Sequence, residues 1–140
     1  MKATKFWVVV TSRDHALDGA EENIVQVNHG KEGQLKRMSS GDKVLFYAAK
    51  KTYSQKELCQ CFVALAILTD DTIFQYEVSA NFKPYRRKAE YKKVNELEIR
   101  PFIDRLAFIK NKEKWGFIFR TGCFEINKHD FDLIEEQMHK

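Results

Sequence analysis

The chain begins with an apolar run that polar residues never interrupt: "KFWVVVT" (5–11) is rich in β-branched residues and predicts a strand buried on both faces. "SRDHALDGAEEN" (12–23) follows and predicts a short helix, with Ser12 as its cap and Leu17 and Ala20 as a narrow apolar edge. Residues 24–28 alternate as a strand and then break at Asn28-His29-Gly30-Lys31. "EGQLKRM" predicts a turn or two of helix, ended by the polar turn "SSGD". "KVLFYAAK" (43–50) and "CQCFVALAILTD" (59–70) are the strongest strand patterns, and the loop between them suits a hairpin. A weaker strand spans 72–78, and "RRKAEYKKV" (86–94) reads as an exposed one. Pro101 suits the first turn of a short helix, "PFIDRLAFI". "KNKEKWGFIFRTG" is a basic loop passing into a helical turn or short strand. In the closing "INKHDFDLIEEQMHK", Asn127 is placed as N-cap and Phe131, Ile134 and Met138 fall on one helical stripe. Five or six mostly antiparallel strands without regular helical crossovers predict an α+β fold: a curled sheet or small β-barrel with short peripheral helices and a C-terminal helix.

The chain has 140 residues, which predicts one domain over 1–140 with a core of its own. No apolar run approaches the ~20 residues that a membrane-spanning helix needs, and the N-terminus lacks the pattern of a secretory signal. The expectation is a cytoplasmic protein. Cys59, Cys61 and Cys123 are odd in number and form no disulfide framework, and no metal-ligand spacing accompanies them. No metal or cofactor is expected. The net charge is +4, unevenly spread: the first 120 residues hold 22 basic and 15 acidic side chains, the last 20 two and five. A basic body with an acidic final helix points to an anionic partner on one side.

Three stretches carry candidate chemistry. "VNHGK" (27–31) lacks the glycine spacing of a phosphate loop and matches no catalytic motif, though His29 or His15 with Asp14 could serve a base- or nucleotide-modifying hydrolase. It also suits a polar rim: Asn28 can pair with a base edge, His29 can stack or donate, and Lys31 can meet a phosphate. "NFKPYRRKAEYKK" (81–93) interleaves Phe82, Tyr85 and Tyr91 with cations that include Arg86 and Arg87. Aromatic faces flanked by cations are what an unpaired or flipped nucleotide requires. "FIKNKEKWGFIFR" (108–120) repeats the mixture with Lys112 and Trp115. "SRDH" (12–15) follows the first strand directly, where backbone N–H groups can meet a ligand.

"VVTSRDH", "QVNHGK", "LKRMSSGDKVLFY", "FKPYRR", "FIKNKEKWGFIFRTG" and "FEINKHDFDLI" occur in the order and spacing of the EVE-domain family, which the chain resembles over nearly its whole length. The resemblance implies a PUA-like curled, mostly antiparallel barrel related to YTH and ASCH domains. It implies a non-catalytic reader module that binds DNA or RNA carrying a modified base, modified cytosine in DNA being a leading proposal. By analogy with the relatives, the base pocket lies between the end of the first strand and the strand carrying "VNHGK". That brings in Ser12, Arg13, Asp14, Asn28, His29, Gly30 and Tyr47, with Phe82, Tyr85, Arg86 and Arg87 closing from the later loop. The expected cavity has flat rings for walls and a positively charged mouth. One departure is visible: YTH pockets use a tryptophan cage, and this chain has only Trp7 and Trp115. A lone reader also requires an effector, which no motif here identifies.

Overall fold

Strand β1 (Phe6–Thr11) is buried on both faces as its composition predicts: Trp7 and Val9 enter one core, Val8 the other. The computed structural model describes residues 3–140, and for Asn28 the backbone only. Helix α1 (Arg13–Glu22) follows directly and ends at Asn23, which takes the left-handed conformation, φ 58°. Ser12 holds the N-cap position, but its hydroxyl donates to Asp14 rather than accepting a helix N–H. Strand β2 is shorter than the alternation suggests (Ile24–Val25), because the chain turns into a single 3₁₀ turn at Asn28–Gly30. A second 3₁₀ turn, Leu35–Arg37, leads to β3 (Lys43–Lys50).

The two strands expected at 59–70 and 72–78 are one, β4 (Leu58–Gln75), which bends where its register shifts between Leu68 and Ile73. A bulge lets a strand bend without ending. β5 (Tyr85–Lys92) returns antiparallel to it, β6 (Leu97–Glu98) pairs with its beginning, and β7 (Cys123–Ile126) pairs with β1. The result is one seven-stranded sheet ordered β2-β5-β4-β3-β1-β7, with β6 beside β4. β1 and β3 run parallel, the remaining pairs antiparallel. The α+β expectation holds, and the sheet is curled but open, with β2 and β7 at the ends of its path.

Each face of the sheet carries its own core. Trp7, Val9, Val44, Phe46 and Ala48 pack with Ala16 of α1; Val8, Leu45 and Tyr47 pack with Phe131, Ile134 and Met138 of helix α2 (Lys128–Met138). α2 begins as predicted, with the Asn127 side chain accepting from Asp130 N–H. The Asp130 carboxylate, wholly buried, also accepts from the backbone N–H groups of Ala107 and Phe108. That tie binds the 3₁₀ segment at Arg100–Arg105 and the loop after it to the C-terminal helix. Among the described residues no helix is long and apolar enough to cross a membrane.

All three cysteines are free, and burial pushes the Cys61 and Cys123 thiols up to about 12. The thiolate is the reactive form. At pH 8 both are expected to resist iodoacetamide in the native protein and to react in denaturant. Intact-mass analysis reads this, and rapid native labelling of Cys123 would contradict its placement.

Candidate functional site

A cleft of about 1070 Å³ opens on the α1 side of the sheet. Its floor is Phe46 and Tyr91, whose rings stack at 5.7 Å, with the Tyr91 hydroxyl donating to Ile24 O. Burial holds that phenol far above its usual range, so it stays neutral. α1 closes one wall, and Gly19 permits its approach: a Cβ there would stand 3.3 Å from the Tyr91 hydroxyl.

The far wall comes from two loops in contact. His29 sits in the left-handed region at φ 60°, and Gly30 follows at φ 87°. A Cβ on Gly30 would lie 2.8 Å from Pro84 Cα and nearer still to Pro84 Cβ, with Phe82 Cε1 at 3.4 Å. The glycine is what lets the 28–31 turn seat against Pro84, so that His29 and Phe82 line the same hollow. The side chain of Asn28 lies outside the described residues.

Arg86 is the buried cation of this wall, only 8% exposed. Its Nε donates to Gln26 Oε1 at 3.0 Å, Nη1 stands 3.4 Å from Glu22 Oε2, and its guanidinium lies 4.4 Å over the Tyr76 ring. Because arginine can only donate, Gln26 must present its amide oxygen to Arg86, which leaves its NH₂ for a ligand. Ser12 is buried beside α1 and also lines the cleft. His15 stacks on Tyr53 at 4.9 Å across the opposite end.

The rim is of mixed sign rather than uniformly positive. Asp18, Glu21 and Glu22 of α1 share the lining with Lys50, Arg86 and Arg120, and Glu22 pairs with Arg86. Such a cleft offers both acceptors and donors beside its rings.

The remaining sequence candidates lie elsewhere. Arg13 pairs with Glu96 at 2.8 Å, beside Lys51 and the Cys59–Cys61 pair. The Asp14 carboxylate accepts from the Ser12 hydroxyl and the His15 and Tyr53 N–H groups, and the Ser12 bond foremost holds it below the ordinary carboxylate range. Lys31 is exposed outside the cleft lining, and Tyr85 packs, half-buried, against the α1-side core. Tyr47 points to the α2 side and stacks on Phe119 at 3.9 Å. Neighbours on a strand face opposite ways, so the cleft receives Phe46 instead. Arg87 is 1% exposed, donating to the carbonyls of Leu35, Met38 and Asp70. Lys112 Nζ donates to Ile103 O and Leu106 O, and Trp115 packs, partly buried, against the α2-side core under Arg100. Trp7 is fully buried, its indole N–H donating to Asp42. Neither tryptophan reaches the cleft.

The sequence pattern does not single out Phe46, Gln26 or Tyr53. Alternation along β3 marks Phe46 and Tyr47 as opposites without saying which is inward. Arg120 was legible only as one cation in a basic stretch.

The EVE domain family matches residues 5–137. A UPF0310 protein encoded in the gntR 5' region of Bacillus licheniformis is 43% identical over 130 residues, covering 93% of this chain and 88% of that one. A UPF0310 protein of Mycolicibacterium vanbaalenii is 40% identical over 132 residues, covering 94% and 91%. Among solved structures, the YTH domain of the Zygosaccharomyces rouxii MRB1 protein, in complex with N6-methyladenosine RNA, superposes with a TM-score of 0.66 at 13% identity, covering 100% of this chain and 90% of that one. That likeness is one of fold.

Proposed function

The chain belongs to the EVE-domain family, and on that premise we propose that it is a non-catalytic nucleic-acid reader that takes one modified, flipped or unpaired base into the cleft. The observation that carries this reading is that Ser12, His29, Phe82 and Arg86, far apart in sequence, line one hollow floored by Phe46 and Tyr91. Modified cytosine in DNA or a modified RNA base is the ligand class. The base lies against Phe82 and His29, and its edge meets the Gln26 amide NH₂, the Arg86 guanidinium and the Glu22 carboxylate. Stacking supplies ~1–3 kcal/mol per base. Extruding a base from a duplex costs a few kcal/mol, so an unpaired base binds more readily than a paired one. With both tryptophans outside the cleft lining, the modification is read by phenylalanine, tyrosine and histidine rings rather than by a tryptophan cage.

The fold relation to a YTH domain in complex with N6-methyladenosine RNA supports the nucleic-acid partner. A hydrolase is less well supported. Asp14 is committed to Ser12 and two backbone N–H groups, while the His15 ring lies on Tyr53 rather than on a carboxylate. A general base needs a partner that orients its ring.

Fluorescence anisotropy against modified and plain oligonucleotides at two salt concentrations tests the proposal. Some modified strand is expected to bind at least tenfold tighter than its plain counterpart, with that ratio persisting as both affinities fall with salt. Phe82→Ala is expected to lower the preferred affinity about tenfold, in the lower half of the range for one lost stack. Equal affinity for all strands would leave a general nucleic-acid binder, and turnover lost in His29→Ala with binding retained would favour the hydrolase.

A further inference from the structure

The cleft does not end at its own rim. Arg120, one of its lining residues, reaches out of it and lays its guanidinium 4.3 Å over the ring of Phe117. Lys114 approaches the same ring at 5.7 Å. Phe117 is 52% exposed, at the start of a 3₁₀ turn (Phe117–Thr121) whose last residue also lines the cleft. A single exposed ring is ordinary on a protein surface. This one has two cations within 6 Å of its ring and is joined to a ligand-sized hollow through one of them.

We propose that Phe117, with Lys114 and Arg120, is a second nucleic-acid subsite, a stacking platform for the nucleotide next to the one in the cleft. The proposal rests on the base-cleft reading for the course of the strand. The charge pattern favours this exit. The α1 wall presents Asp18, Glu21 and Glu22, which repel a phosphate chain. Arg120 draws the backbone away from that wall, and Lys114 continues the positive track. The partner this surface fits is a single strand, since a base held in a duplex cannot expose its face to the ring. The basic segment 108–120 thus binds through Phe117, while Trp115, two residues earlier, packs partly buried against the α2-side core.

The platform and the cleft separate by ligand length. A single-stranded dodecamer is expected to bind the wild type tenfold or more tighter than the nucleoside monophosphate of its central base. Phe117→Ala is expected to lower dodecamer affinity about tenfold, leave the nucleoside monophosphate within twofold, and leave the modified-to-plain ratio unchanged. Phe117→Trp, which keeps a stacking face, is expected to retain dodecamer affinity, and Arg120→Gln to lower it while reducing its salt dependence. Dodecamer affinity unchanged in Phe117→Ala overturns the platform, as does equal loss in the alanine and tryptophan variants. A Phe117 effect without base discrimination sinks the cleft reading and leaves the platform standing. Discrimination without a Phe117 effect does the reverse, and failure to bind any strand at low salt overturns both.

Discussion

Replacing Arg87 with methionine is expected to destabilise the fold by about 3 kcal/mol, with thermal unfolding falling by roughly 10 °C. The guanidinium joins elements distant in sequence. Nη1 bonds the carbonyls of Leu35 and Met38 at 2.8 and 2.7 Å, and Nη2 bonds Asp70 O at 2.6 Å, within the bend of β4. A hydrogen bond to a charged group is worth ~1.5–3 kcal/mol, and methionine would remove all three, leaving Leu35 O the Met38 N–H as donor. Two gains offset part of the loss: Arg87 Nε is buried without a partner, and the buried charge itself disappears. Arg87→Lys is expected to fall between, since one ammonium cannot span both the 35–38 turn and the β4 bend. A calorimetric shift below about 1 kcal/mol for the methionine variant would mean that those carbonyls find other donors.

Gly30→Ala is expected to damage binding more than stability. The added methyl would enter the Pro84 ring, where neither the backbone nor the ring can move aside, and the positive φ adds strain. The less costly response is for the 28–31 turn to lift away from Pro84, parting His29 from Phe82 and opening the cleft. A stability loss of about 1–3 kcal/mol and at least a tenfold loss of affinity for the preferred oligonucleotide are expected. Gly33→Ala is the control, with nothing within 4 Å of its Cβ position, and should match the wild type in both. Thermal melts and oligonucleotide titrations of the two variants read the difference. Unchanged binding in Gly30→Ala would show that the apposition of the two loops does not shape the site.

The adjacent arginines of β5 show where sequence reading stops. "RRK" marks two cations on a strand, and alternation sends them opposite ways. Arg86 reaches the cleft and Arg87 the interior, an allocation that depends on the Leu35–Met38 turn and the β4 bend, both remote in sequence. The β4 bend itself is concealed, because "LTDDTIF" reads as a break between strands, whereas the pairing of β5 across it makes the strand continuous. The "VNHGK" cluster was legible as a break with ligand chemistry. Its service to the cleft depends on Pro84, more than fifty residues away.

Wherever the cause is local, the chain discloses its own structure. Alternation and β-branching set β1 as a strand buried on both faces. The Asn127 side chain and the stripe Phe131, Ile134 and Met138 set α2, since a cap and a helical period need only neighbours a few residues away. Long-range contact governs the rest. Phe46 rather than Tyr47 floors the cleft, Phe117 rather than Trp115 stays exposed, and β1 lies parallel to β3. The physical reason is that periodicity states which residues point in opposite directions, whereas burial depends on which element finally covers each face.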